Sequence, residues 1–208
     1  MRKKMMKNGT IRLSLVLVSA VLMVLSACTG ISKPSKFYVL SALPESETAV
    51  KGVGNENDLA IGIGPITLPI YLDRAQIVTR ISRNELKMDE FNRWAEPLKE
   101  NFFRVLAENL SVLLDTVDIR LYSRRISTPV SYQVTIDVSR FDVTSDGKAL
   151  LIAYWAVLGK DGRKILLKKK SILRADAASM DYRDIVAAQN QALSELSRAI
   201  AAEIKKLQ

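Results

Sequence analysis

The chain has 208 residues, 48% of them hydrophobic, and its 31 Lys and Arg against 22 Asp and Glu give a formal charge of +9. It contains no histidine and one cysteine, Cys28. That removes Ser-His-Asp and Cys-His catalysis, the common zinc ligand sets and any intrachain disulfide.

The basic excess is uneven. Met1 to Ala27 holds Arg2, Lys3, Lys4, Lys7 and Arg12 and no acid, and Leu13 to Leu25 is apolar apart from two serines. A basic start, a short apolar stretch and a small-residue exit predict a secretory signal peptide over 1–27. The run is too short for a comfortable bilayer span of about 20 residues. Leu25-Ser26-Ala27-Cys28 resembles the bacterial lipobox. That motif implies cleavage after Ala27, a diacylglycerol on the Cys28 thiol and a palmitate-type acyl chain on the new amino group. The alternative is an ordinary secretory peptide with a chance cysteine. A triacylated cysteine buries dozens of methylenes at about 0.8 kcal/mol each, an effectively permanent membrane anchor. Loss of the leader leaves 31 − 5 = 26 basic against 22 acidic residues, or +4. The basicity is therefore largely a targeting feature. It argues for no nucleic-acid partner, while a mildly positive body still suits an anionic membrane surface.

Residues 28–36 read as the lipidated cysteine and a polar tether, and 37–208 as one domain. Thr29 stands where an aspartate holds many lipoproteins at the inner membrane, so by analogy the expected location is the outer membrane, facing the periplasm. Phe37 to Leu40 predicts a first strand. Pro44 to Asp58, rich in Glu, Gly and Asn, predicts a loop. Leu59 to Gly64 reads as a short buried strand. Its Gly-x-Gly has no third glycine or Gly-Lys-Ser/Thr after it, so it is no phosphate loop. Pro69 to Arg74 predicts a turn. Gln76–Ile81 and Glu85–Asp89 predict a hairpin turned at Arg83-Asn84, and Asp89–Pro97 a loop carrying Phe91 and Trp94.

Pro97 suits a helix start. Leu98, Phe102, Val105, Leu106, Asn109, Leu110, Leu113 and Leu114 then follow the 3.6-residue period, predicting an amphipathic helix whose stripe faces a core. Asp118–Tyr122 predicts a strand and Ser123–Pro129 a connector. Tyr132, Val134, Ile136 and Val138 alternate, and then the apolar parity moves to Phe141 and Val143. A β-bulge near Ser139-Arg140 is the expectation. After a turn at Asp146-Gly147, the nearly all-apolar Ala149–Leu158 predicts a central strand covered on both faces. The strand expected over Arg163–Arg174 carries Lys168, Lys169 and Lys170. Three consecutive lysines suit anionic lipid, nucleic acid or an exposed edge where they discourage strand pairing, and the edge is the preferred reading. Asp181 caps a last helix with Ile185, Val186, Leu193, Leu196, Ile200 and Ile204 on its apolar face. The fold class expected is α/β (mixed α+β), one domain, with a mixed, largely antiparallel sheet and two main helices packed on it.

With these residues in view, the chain resembles the ABC-type transport auxiliary lipoprotein family over nearly all of its mature length. The resemblance rests on Phe37-Tyr38-Val39-Leu40, Ile61-Gly62-Ile63-Gly64-Pro65, and Leu68-Pro69 with Tyr71-Leu72-Asp73-Arg74. Gln76-Ile77-Val78-Thr79-Arg80 and Arg93-Trp94-Ala95-Glu96-Pro97-Leu98 complete it. Relatives often carry proline where Ala75 stands. The resemblance implies a non-enzymatic auxiliary component of envelope lipid transport. Its implied partner is an MCE protein whose hydrophobic tunnel crosses the periplasm, and a homo-oligomeric ring is a further implied state. No catalytic residue, metal or cofactor comes with it.

Tyr71, Leu72, Asp73 and Arg74 are the candidate docking turn, with Asp73-Arg74 as a local ion pair the plainer reading. Trp94 is either a core plug or part of the docking surface. Two other functions compete: a structural lipoprotein that scaffolds a periplasmic assembly without handling lipid, and a carboxylate-dependent hydrolase drawing on Asp73, Glu85, Asp89, Glu90 and Glu96. Nothing in the spacing of those acids converges them.

Overall fold

The computed structural model describes residues 33–44, 59–122 and 129–208. The signal peptide, Cys28, Thr29, residues 45–58 of the expected loop and residues 123–128 of the connector lie outside the described residues. Residues 35–208 form one compact unit. In chain order its elements are β1 (Lys36–Tyr38), β2 (Ile61–Thr67), a 3-10 turn (Ile70–Leu72), β3 (Gln76–Arg80), β4 (Leu86–Trp94) and α1 (Leu98–Leu114). There follow β5 (Ile119–Leu121), β6 (Tyr132–Thr144), β7 (Lys148–Leu158), β8 (Ile165–Asp176) and α2 (Tyr182–Lys205).

All eight strands belong to one mixed sheet organised around β6. One edge of β6 pairs antiparallel with β7, and β7 with β8, in the two longest ladders. The other edge is shared. β2 runs parallel to its first half, from Ile61↔Tyr132 to Thr67↔Asp137, and β3 runs parallel to its end at Thr79↔Val143. β5 extends the sheet beyond β2, while β4 and then β1 extend it beyond β3. The expected bulge is present: Val138 pairs Ala153, the next pair is Arg140 with Ile152, and Ser139 is the extra residue.

The bulge fixes which residues meet the helices. Val134, Ile136 and Val138 before it, and Phe141 after it, enter one core with Leu151, Ala153, Trp155 and Val157 of β7. Phe141 meets Phe102 of α1 edge to face at 5.6 Å. In α2 the buried Ala188, Ala192, Ser197 and Ala201 sit among Leu193, Leu196, Ile200 and Ile204. Small residues there let the helix approach both α1 and the sheet. Both helices end as the sequence indicates. Asp181 accepts a hydrogen bond from the Arg183 N–H at 2.9 Å, and Asp115 closes α1 with a left-handed φ of 53°.

Two buried polar residues on α1 anchor the chain's entry. Asn101 Oδ1 accepts the Leu40 N–H. Asn109 Oδ1 accepts that of Leu43 at 2.8 Å, and its Nδ2 donates to Ser197 Oγ at 3.1 Å. This is why β1 ends at Tyr38 rather than Leu40: the backbone at 40–43 bonds to helix side chains instead of a strand.

Two expectations are corrected. Asp89–Trp94 is strand, not loop. β4 runs on to Trp94 and pairs with β1 through Tyr38↔Trp94. The polar Asp89-Glu90-Phe91-Asn92 stretch is an irregularity within it, where Asp89 Oδ1 accepts the N–H groups of Phe91 and Asn92 at 3.0 and 2.9 Å. And β7 is central but covered on one face only. Ala149, Leu151, Ala153, Trp155 and Val157 are buried, whereas Leu150 and Ile152 are half-buried and Tyr154 is 42% exposed. Both helices lie on the same side, so an apolar run reports a strand with neighbours on both edges without reporting cover on both faces. β8 is indeed an edge strand.

The Ile61-Gly62-Ile63-Gly64-Pro65 motif has a steric reading. Gly64 has φ +133°, and a Cβ placed there would stand 2.7 Å from the Tyr122 carbonyl oxygen. At Gly62 it would press on the Tyr122 ring, 3.0 Å from its nearest atom. The glycines thus let Tyr122, just past β5, lie across β2. Gly64→Ala is expected to destabilise the domain by about 2 kcal/mol or more. Gly159→Ala, where the nearest atom would be 3.9 Å from the new carbon, serves as the control with little change in the denaturant midpoint.

Candidate docking surface

The turn that the sequence singles out sits between β2 and β3, beside the bulge of β6. Its tightness is backbone-made: the Leu72 N–H donates to the Pro69 carbonyl at 2.9 Å and the Asp73 N–H to that of Ile70 at 3.0 Å. Leu72 anchors it in the core, 3% exposed, while Ile70 next door is 88% exposed. Asp73 is exposed and Arg74 half-buried. They form no ion pair with each other; the Arg74 guanidinium turns toward the Met88 sulfur.

Tyr71 points the other way, into a buried polar lock. Its hydroxyl donates to Asp142 Oδ2 at 3.0 Å. The Asp142 carboxylate is wholly buried and is held by Arg80, through Nη2 at 2.9 Å and Nε at 3.2 Å, and by Arg140 through Nε at 2.9 Å. The Arg80 guanidinium also lies 5.9 Å from the centre of the Tyr71 ring. A buried carboxylate is tolerable only when paired and hydrogen-bonded in this way. Burial, then the Asp142 charge and hydrogen bond, push the Tyr71 hydroxyl up to about 12, with Arg80 opposing. Burial followed by Asp89 does the same for Tyr182, also about 12. The hydrogen bond that Arg80 donates to Asp142 raises Arg80 above its already high value. Arg80 therefore stays charged and the Tyr71 phenol neutral through the physiological range.

The other expected site residues are dispersed. Trp94 is 5% exposed and packs in the core, so it offers a partner little surface. Among the acids considered for hydrolysis, each has its own surroundings. Asp73 lies on the turn and Glu85 at the β3–β4 turn. Asp89 accepts from the Asn92 N–H at 2.9 Å, and Glu90 accepts from Gln76 at 3.3 Å. Glu96 pairs with Arg104 at 2.9 Å. No cleft gathers them, and no cluster of three or more metal-ligating side chains occurs among the described residues. An open cleft of about 590 Å3 lies instead on the helix-free face, lined by Pro65, Thr67, Asp137, Tyr154, Ala156 and Lys168 among others. Thr67 Oγ1 donates to Asp137 at 2.6 Å on its rim.

Arg80, Arg140 and Asp142 were not legible as a set. Their separation in sequence hides the lock, and the only signal was the parity shift that turns residues 140 and 142 away from the helices.

A one-layer mixed sheet is thus backed by two helices on one face and carries the pinned turn on the other. The model of the ABC-type transport auxiliary lipoprotein component matches residues 38–201, and the chain belongs to that family. It is similar to the intermembrane transport lipoprotein PqiC of Escherichia coli K12, with 25% identity over 194 residues, 92% of this chain and 97% of that protein. The Shigella flexneri PqiC matches equally. Among solved structures, one of an uncharacterised protein superposes with a TM-score of 0.67 at 20% identity, covering 83% of this chain and 99% of that one. The protein XCC0632 from Xanthomonas campestris superposes with a TM-score of 0.60 at 17% identity, covering 80% and 93%. These two share the fold.

Two outcomes follow. Arg80→Met leaves the buried Asp142 carboxylate short of its main partner and is expected to cost about 2–3 kcal/mol in denaturant unfolding. The two tyrosines give a pH dependence. Their folded-state values near 12 exceed the usual 10, so the folded chain holds those protons more tightly. Their contribution is complete below about pH 10 and is lost as pH rises from there toward 12. Thermal unfolding should fall over that window, and Tyr71→Phe should make the fall shallower.

Proposed function

We propose that this chain is a lipoprotein of the outer membrane, anchored through Cys28, that serves as a non-enzymatic docking component of an MCE-type intermembrane lipid transport system. Membership in a family of transport auxiliary lipoproteins supports the class. The similarity to an intermembrane transport lipoprotein along almost the full length of both chains supports the intermembrane role. The observation that carries the docking reading is the rigid turn. Leu72 and the Tyr71–Asp142–Arg80 lock hold it from below, and it presents the apolar Ile70 with Asp73 to solvent. An exposed isoleucine on a pinned turn loses little entropy on binding, and such preorganised apolar anchors favour tight docking.

Tyr71→Ala would disturb the lock and confound folding with docking. Ile70→Asp changes only an exposed side chain and should leave stability within about 0.5 kcal/mol. Co-purification of the MCE protein is expected to fall at least tenfold with Ile70→Asp while the far-UV spectrum is unchanged. Undiminished co-purification would move the interface elsewhere. Mass spectrometry of the mature protein should find Cys28 triacylated, and Cys28→Ala should remove the chain from the high-salt-washed membrane fraction.

A further inference from the structure

Among the described residues, no element covers the open face of the sheet at its β7–β8 end. Residues paired across an antiparallel ladder share a face, so the register reads this surface directly. Leu150 stands beside Arg174, Ile152 beside Ile172, Tyr154 beside Lys170 and Ala156 beside Lys168. The alternate residues point to the helices, and Lys169 there is already paired with Glu203 at 2.9 Å. Ile172 is 46% exposed beside Tyr154, and Lys168, Lys170 and Arg174 rim them as exposed cations. The Lys170 ammonium lies 5.1 Å from the centre of the Tyr154 ring. Two exposed acids share this face, Asp137 on the neighbouring β6 and Asp176 at the end of β8, the latter opposite the exposed Lys148.

Aliphatic and aromatic groups in the middle, with long cationic side chains at the rim, match a bilayer interface. Apolar bodies enter the headgroup layer there while lysine and arginine ends meet phosphates. We propose that the β7–β8 face rests on a membrane surface containing acidic phospholipids and so sets the orientation of the anchored body. The proposal rests on the Cys28 anchor of the proposed function, which names the membrane and keeps the body close to it. Chain length allows it. From Cys28 to Lys36 there are 36 − 28 = 8 residue steps, at most about 28 Å. The six strands from β1 to β8 across the sheet are spaced at about 4.8 Å, a width of about 24 Å. The tether therefore reaches the same bilayer on which the far edge lies. Because the anchor holds the face near lipid, a modest attraction suffices to choose one orientation.

The test uses the mature acylated chain in phosphatidylcholine vesicles with and without phosphatidylglycerol. With Cys28 acylated, single introduced thiols carry a fluorophore at Ile172→Cys on the face, at Glu195→Cys on the exposed side of α2 and at Asp73→Cys on the docking turn. Quenching by a headgroup-nitroxide lipid is then read. The expected result is severalfold stronger quenching at 172 than at 195 when phosphatidylglycerol is present. That difference should be lost with Lys168→Glu, Lys170→Glu and Arg174→Glu together or in high salt, with the circular dichroism unchanged. Equal quenching at 172 and 195 in acidic vesicles overturns the proposal. Flotation after a high-salt wash reports the anchor separately. A chain that floats only at low salt, and only while the three cations are intact, fails the anchor and keeps the face. One that floats in high salt without the asymmetry keeps the anchor and fails the face. Quenching at 73 as strong as at 172 keeps the membrane face and counts against the turn as a protein-docking surface.

Discussion

The extra residue at Ser139 sets the two faces of β6, and through them the two faces of the whole sheet. Before it, Val134, Ile136 and Val138 turn to the helices. After it Phe141 and Val143 do, and Arg140 and Asp142 turn to the open side. Without the bulge the alternation would bring Asp142 under the helices, away from Arg80 and Tyr71, and Phe141 out of the core, with a buried carboxylate unpaired and a large aromatic lost. With it, Phe141 reaches Phe102, and Asp142 becomes the anchor that Arg80, Arg140 and Tyr71 converge on.

Because one edge of β6 serves both β2 and β3, the chain between them must cross the place where the bulge sits. The 3-10 turn is that crossing. Its rigidity comes from two sources of different kind. Leu72 contributes burial of apolar surface, worth about 2 kcal/mol. Tyr71 contributes geometry, since its hydroxyl must meet a fixed carboxylate. What remains outward is Ile70 and Asp73, on a turn held from below in both ways.

Among the described residues the helices occupy one face of the sheet only. The other side is divided. The β3 end is occupied by the signature turn and the lock, and the β7–β8 end is open, apolar at its centre and cationic at its rim. The inner face has its polar needs met locally: Asn101 and Asn109 satisfy the backbone at Leu40 and Leu43, and Glu203 neutralises Lys169.

How much of this could be read beforehand followed from the range of each interaction. The stripes of α1 and α2, the Arg83-Asn84 hairpin, the parity shift near Ser139 and the cap at Asp181 are local patterns, set by a 3.6- or 2-residue period and by turn chemistry. The sequence alone determined those, along with the leader pattern and the absence of histidine chemistry. Where Asp89–Asn92 broke the apolar alternation, the same local reasoning stopped a strand too soon, since pairing with β1 and β3 carried it onward to Trp94. Tertiary structure alone decided that both helices take one side of the sheet, that Asn101 and Asn109 hold a segment about sixty residues away, and that Tyr71, Arg80, Arg140 and Asp142 meet. These contacts depend on which strands become neighbours, and strand neighbourhood is a choice among non-local pairings that no short window of residues encodes.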